Sequence, residues 1–408
     1  MSHPAHTQHL QTKKQHIIKL LFHLVPFFII IFCIVALIVV YKDLSMKNKI
    51  LAGDKSSLIG KNSNLLTEFK DLENEFKDLK SQDQYLINQE LQKKVKNVET
   101  EYNQTVVTYE SLLELKGKTK DTEKFDKAFA LTLRQLSELN YTSASATLSQ
   151  LKKDIAAKEQ ELITAFTIPK NVQEKNTPPG SGFSRQKVSI DLGSYLVDII
   201  SADLSSTKVI VDTASDGTCT NDCPVLSLGD YASRSGAYAG INGSYFCPAS
   251  YPSCAGKTNS FDTLLMNKNK TYFNSDNNVY SSVPVAAFGS GWARFMGRSS
   301  DWGRDTGVDG VIANQPLLVS GGNVAFGGDG DPKKGSKGSR SFVGASGSIV
   351  YIGVVHNATV AEVAHVLKAM GIQDALNLDS GGSTALWSGG YKVGPGRNIP
   401  NAILFVKK

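Results

Sequence analysis

The sequence predicts an α+β protein: a strand-rich C-terminal globular head with few helices, preceded by one transmembrane helix and an all-α helical or coiled-coil stalk. Three observations predict it. Of the 35 glycines, 30 lie between Val188 and Lys408, where β-branched alternation dominates. Leu24 to Tyr41, LVPFFIIIFCIVALIVVY, is uncharged. Between them, leucines and aromatics recur at helical spacing. The 408 residues therefore divide into a short cytoplasmic tail (1–23), an anchor (24–41), a helical stalk or hairpin (42–166), a linker (167–187) and the head (188–408).

An 18-residue helix spans about 27 Å, close to the hydrocarbon core of a bilayer. The run is longer than a signal-peptide core, and no small-residue cleavage site precedes "KDLSMKNK". This predicts an uncleaved anchor. Lys13, Lys14 and Lys19 precede the span and Lys42, Lys47 and Lys49 follow it, so flanking charge does not orient it. Cysteines do. Cys33 is inside the span, while Cys219 and Cys223 form one cluster and Cys247 and Cys254 another. Four cysteines allow three pairings, and pairing within each cluster is preferred. A zinc site is the rival, against which stand the unusual spacing and the lack of a nearby histidine. Two disulfides require an oxidising compartment and put the head outside the cytoplasm on a single-pass membrane protein.

The net charge of +6 arises in residues 1–187, with 27 basic and 21 acidic side chains; the head has 17 of each. There is no basic patch interleaved with aromatics, and no nucleic-acid partner is expected.

In the stalk, Leu65, Phe69, Leu72, Phe76 and Leu79 form a 4-3-4-3 seam, and Leu91, Val95, Val98, Tyr102, Val106, Tyr109 and Leu113 a second, with a break around Ser81–Gln84. Gly117 and Asp121 end it. Phe125, Phe129, Leu136 and Leu139 mark another helix. A further one carries Leu148, Leu151, Ile155 and Leu162 after an interruption at "NYTSAS". Self-association through a parallel coiled coil and an antiparallel hairpin or small bundle are equally consistent with this pattern, and the stretch has no chemical motif. Pro178-Pro179-Gly180 marks the linker.

In the head, "KVSIDLGSYLVDIISADL", "STKVIVDTAS", "GAYAGINGSYF", "NSFDTLLMN", "KTYFNS", "GVIANQPLLVSGG" and "SGSIVYIGVV" read as strands. Thr359-Val360-Ala361-Glu362 is a capping box opening one clear helix, and Gly371 stops it. Strand "ALNL" follows, and Asp379 stands at its end before the bulk-free turn Ser380-Gly381-Gly382-Ser383. Such a turn lets backbone N–H groups approach a ligand. Asn242 in "GINGSYF" occupies a similar strand-to-turn junction. Arg340 in "GSRSFVG" follows a Gly- and Lys-rich loop, and Arg397 precedes the final strand.

These segments together resemble the phosphodiester glycosidase family, over about residues 188–408. The resemblance is carried by Asn242-Gly243-Ser244-Tyr245-Phe246, Arg340-Ser341-Phe342-Val343-Gly344, Asn377-Leu378-Asp379-Ser380-Gly381-Gly382-Ser383-Thr384, and Arg397-Asn398-Ile399-Pro400-Asn401-Ala402, in that order. Ser380 departs from the usual Gly, and His356 stands where an acidic or small residue is common. The resemblance implies hydrolysis of the sugar–phosphate bond of a sugar-1-phosphodiester, in an envelope glycan or glycolipid. A non-catalytic glycan-binding or scaffolding surface protein is the alternative.

A usual glycosidase uses two carboxylates; the head has 16 Asp but a single Glu, Glu362, occupied in the capping box, so a Glu/Glu pair is excluded. A phosphate monoester is already a stable leaving group, so one base, cations and N–H dipoles suffice. Asp379 is expected as base or as stabiliser of the anomeric centre, with Arg340 and Asn242 as its catalytic partners. Arg340 and Arg397 are expected on phosphate, Asn242 and Asn377 on sugar hydroxyls, and Tyr245, Gly381, Gly382, Ser383 and Thr384 along the substrate. No cofactor is expected; a divalent metal at Asp379 is left open, no cluster of ligand spacing arguing for it.

Overall fold

The computed structural model describes residues 8–408, with side chains from Pro26 onward except that of Asp83. The first seven residues of the expected tail, and the side chains of Leu24 and Val25 in the expected anchor, lie outside the described residues. The chain forms two compact units, divided between Lys96 and Asn97.

The first unit holds helix α1 (Gln8–Ser81, 74 residues) and the start of α2 (Asp83–Lys118), so the seam breaks where the sequence predicts. From Pro26 onward α1 is long and apolar enough to cross a membrane, and its apolar side chains are exposed. The seam residues Leu65, Phe69, Leu72, Phe76 and Leu79 are exposed as well.

In the second unit the end of α2 packs with α3 (Glu123–Ser137) and α4 (Tyr141–Ala165) around Leu112, Leu115, Phe125, Leu151 and Ile155. Within this unit the helices form a small bundle. The "NYTSAS" run starts α4 rather than interrupting it. The Asn140 side chain accepts from the Ser143 N–H at 3.2 Å, so an apparent breaker is an N-cap.

The strand domain follows. Its largest sheet is antiparallel, with seven strands in the order Gly182–Ile190, Gly193–Asp203, Ile349–Ala358, Gly338–Ser346, Asp374–Asn377, Leu317–Ser320, Asn323–Val324. Both of its faces are covered. Along Gly193–Asp203, Ile200 and Ala202 enter the main core, and Tyr195, Val197 and Ile199 enter a second core. The second core is closed by helix Val360–Ala369 through Val360, Val363, Ala364 and Leu367. Period-2 alternation selects which residues meet which layer. The main core is shared with two five-stranded antiparallel sheets. One contains Ala239–Asn242 between Leu386–Ser388 and Asn401–Lys407, and the other contains Gly310–Ala313 between Leu265–Met266 and Val285–Gly289.

The cysteines pair locally, Cys219 with Cys223 and Cys247 with Cys254. The capping box is complete: Thr359 Oγ1 accepts from Glu362 N–H at 3.1 Å, and Glu362 Oε2 accepts from Thr359 N–H at 2.7 Å. Thr359→Ala removes the first of these bonds. It is expected to cost about 1 kcal/mol and to lower the thermal midpoint by a few degrees; calorimetry of both proteins measures it.

Candidate active site

Asp379 is placed by a knot of buried polar groups. Its strand pairs with Gly338–Ser346 up to Asn377, and Leu378 N–H then donates to Ser341 O at 2.9 Å. Asp379 N–H donates to Gly243 O at 2.9 Å. Asn242 closes the knot: its Nδ2 donates to Asp379 O at 2.6 Å, and its Oδ1 accepts from Ser341 Oγ at 2.9 Å and Ala385 N–H at 3.1 Å. One amide thus ties three chain segments below the turn. Ser380 joins in, its Oγ accepting from Ser341 N–H and donating to Leu378 O.

A second tie comes from Asn401, whose Oδ1 accepts from Ser244 N–H at 2.9 Å and whose Nδ2 donates to Ser244 Oγ. Gly243 is required for this approach, because a Cβ there would lie 1.9 Å from Asn401 Oδ1.

Above the knot is a cleft of about 700 Å³. Asp379, Arg340, Arg397 and Tyr245 line it, together with Gly381, Gly382 and Ser383. Asn242, Asn377 and Thr384 are buried and do not line it. The expectation that the two asparagines orient sugar hydroxyls is therefore corrected. Asn242 has spent its polar atoms on protein. Asn377 Nδ2 donates to Tyr245 Oη at 2.6 Å and to Gln315 O at 2.9 Å, which sets the tyrosine rather than a ligand. Among the described residues, Asn377 Oδ1 is buried without a partner.

Arg340 reaches the cleft but is held from behind. Nε donates to Ala358 O at 3.2 Å, and Nη2 donates to Lys333 O at 2.7 Å and to Ser336 O. It therefore anchors the lysine-bearing turn. Arg397 is the freer cation. Its backbone N–H donates to Gly382 O at 2.8 Å, and its guanidinium lies 5.2 Å from the Tyr251 ring centroid.

The helical bundle contributes what its sequence pattern did not signal. Glu114 of α2 accepts from Tyr251 Oη at 3.2 Å and lies 4.0 Å from Lys333 Nζ; Glu110 accepts from Ser253 N–H at 3.0 Å. Leu162, Ile163 and Phe166 form an apolar part of the wall. A glutamate every few residues on a helix is ordinary surface composition, so no sequence signal marks Glu114. Tyr251 was equally unmarked, lying inside the disulfide loop.

The electrostatics single out Asp379. Burial pushes its pKa up to about 6, against hydrogen bonds from Ser383 and from Ser380 N–H and the charges of Arg397 and Lys333, all of which pull it down. Burial also raises Tyr245, and the Asp379 charge adds to it. Tyr251 is pushed up to about 12, by burial and then by Glu114. Both tyrosines are hydroxyl donors at neutral pH. Among the described residues no group of three or more His, Cys, Asp or Glu side chains gathers as a metal site.

Residues 235–406 match the phosphodiester glycosidase family model. The matched range contains all four motif segments. No curated protein is a significant match. Among solved structures, a hypothetical protein from Synechocystis is 14% identical with a TM-score of 0.40, covering 55% of this chain and 62% of its own. The chain thus spans less than two thirds of that protein. The zebrafish N-acetylglucosamine-1-phosphodiester alpha-N-acetylglucosaminidase catalytic domain is 15% identical, TM-score 0.43, covering 58% of this chain and 87% of its own. A putative exported protein from Burkholderia pseudomallei is 10% identical, TM-score 0.35, covering 52% and 74%. Scores this low bear on neither mechanism nor substrate.

Asn242 and Asp379 each give a measurable outcome. Asn242→Ala strands Ala385 N–H and Ser341 Oγ without their acceptor and should destabilise by about 2 kcal/mol or more, measured by denaturant unfolding. Asp379 has a folded pKa above its unfolded value, so the folded state disfavours the ionised form. Relative to the neutral acid, that penalty is absent below the unfolded pKa and complete above about pH 6. Asp379→Asn is thus expected to gain stability relative to wild type as pH rises from 4 to 7, by about 1–3 kcal/mol. A difference in midpoint that is flat across that range would count against the raised pKa.

Proposed function

We propose that this cleft hydrolyses the bond between the anomeric carbon and oxygen of a sugar-1-phosphodiester. The observation that carries the proposal is a carboxylate of raised pKa on a small-residue turn, in one cleft with Arg397 and Lys333. The family match supports the reaction class.

Asp379 in its ionised form takes a proton from water as the water attacks the anomeric carbon. A carboxylate with a pKa near 6 is a better base than an ordinary aspartate and is still mostly ionised at neutral pH. The bond to phosphate breaks, and the monoester leaves as an anion that needs no protonation. Arg397 and Lys333 supply positive charge for that phosphate, and the 381–383 backbone lies beside them. Tyr245, a neutral hydroxyl lining the same cleft, is available to donate to the substrate. Arg340 acts on this constellation mainly by fixing the turn that carries Lys333.

The apolar helix and the two disulfides support a single-pass protein with this domain outside the cytoplasm, where envelope glycans or glycolipids are the available substrates. The exposed seam of α1 supports self-association through the stalk.

The test is turnover of synthetic sugar-1-phosphodiesters by the full chain in detergent. Below pH 6, kcat/KM should rise about tenfold per pH unit, then level off. Asp379→Asn should lose on the order of 10²–10⁴ in rate. An active Asp379→Asn enzyme, or no turnover by a folded wild type on any sugar, contradicts the proposal.

A further inference from the structure

One row of side chains in the same domain has no part in the chemistry above. It crosses four neighbouring strands of the large sheet at its cleft end. Arg185 and Asp198 are direct partners on the first two strands. His356 is on the third, and Ser339 sits on the fourth, where the register shifts between Gly338 and Arg340. Arg185 Nε and Nη2 donate to the two Asp198 oxygens at 2.7 and 2.8 Å. His356 Nε2 lies 2.8 Å from Asp198 Oδ2, and His356 Nδ1 lies 3.2 Å from Ser339 Oγ. Asp198 is fully buried, His356 is 14% exposed, and both His356 and Ser339 line the cleft.

The donor and acceptor at each link are fixed by the one before. Burial by itself would raise the Asp198 pKa, but hydrogen bonds from His356 and Arg185 hold it below the usual carboxylate range. An ionised carboxylate only accepts. The proton of a neutral His356 is therefore on Nε2, which leaves the Nδ1 lone pair to accept from Ser339 O–H. Ser339 Oγ has no other protein partner among the described residues, so its lone pairs are left for the cleft.

We propose that Ser339, His356 and Asp198 form a nucleophilic triad that cleaves O-acyl esters. The two ring nitrogens have exchanged the roles they take in the serine-protease arrangement, which the chemistry permits because it needs one N–H and one lone pair on the ring. Ser339 Oγ bonds to the ester carbonyl carbon while its proton passes to Nδ1. The tetrahedral centre collapses, the carbon–alkoxy bond breaks, and the departing alcohol takes the proton back. Water then attacks the acyl-serine with the same proton transfers, releasing the carboxylic acid and restoring Ser339. Lys337, whose Nζ pairs with Glu362 at 3.1 Å, and the backbone-anchored Arg340 line the same wall and bring positive charge near the carbonyl oxygen. Identifying the alcohol as a sugar hydroxyl rests on the glycosidase reading of the shared cleft; the reactivity of the serine does not.

The experiment is labelling of the full chain in detergent with an alkyl fluorophosphonate, which loses fluoride to an activated serine, followed by peptide mass spectrometry and a 4-nitrophenyl acetate assay. Wild type should be labelled at Ser339 and hydrolyse the acetate whether or not it turns over sugar-1-phosphodiesters, so failure of the glycosidase proposal leaves this result intact. Ser339→Ala should lose label and esterase activity, and His356→Gln should fall by on the order of 10²-fold or more. A wild-type protein with an intact thermal transition and no label at Ser339 overturns the triad, as does acetate hydrolysis unchanged in Ser339→Ala. Should His356→Gln not fold, the comparison of wild type with Ser339→Ala decides alone.

Discussion

The Asn242 side chain is the constraint on which the site depends. Its amide is fully buried and bonds to the segments containing Asp379, Ser341 and Ala385. A buried amide left unpaired costs as much as a lost tertiary contact, so the three segments meet in one way only. This fixes the direction in which Asp379 leaves its strand. The adjacent glycines serve the same end by removing bulk where backbone and side chains cross closest, most plainly at Gly243 against Asn401. The carboxylate is then held where burial outweighs the cations near it, and its altered acidity follows from placement rather than from a neighbouring acid.

The rest of the cleft is divided by charge. Lys333 and Arg397 both approach the ring of Tyr251, at 5.7 and 5.2 Å, and the Tyr251 hydroxyl donates to Glu114. The cationic side of the cleft is thus tied to the helical bundle through Tyr251 and Ser253 of a disulfide-closed loop and through Lys333 beside Glu114. The Arg185–Asp198–His356–Ser339 row belongs to the sheet and owes nothing to this loop. Two sets of groups of different chemistry therefore open on one space of about 700 Å³.

Much of this could be read in the sequence. The capping box at Thr359, the helix breaks near Ser81 and Gly117, the short-range cysteine pairs and most strands are local signals, and local physics decides them. The motifs at Asn242, Arg340, Asp379 and Arg397 do gather in space, because each lies at or beside a strand end. What a sequence does not carry is which way an amide faces. Asn242 and Asn377 read as ligand-binding and turned out to be internal ties. Glu114, Tyr251 and Lys333 went unread since nothing in a helix of mixed charge, or in a loop, says which residue a distant domain will face. Asp198, His356 and Ser339 are 158 and 17 residues apart along the chain, and only strand order makes them neighbours.

The carboxylate of Asp379 is held in a setting that disfavours its charge. A ¹³C NMR titration of aspartate-labelled protein, with the Asp379 resonance identified by its loss in Asp379→Asn, measures this directly. A midpoint at about 6 is expected. A midpoint near 4, the value of a solvated aspartate, would contradict it.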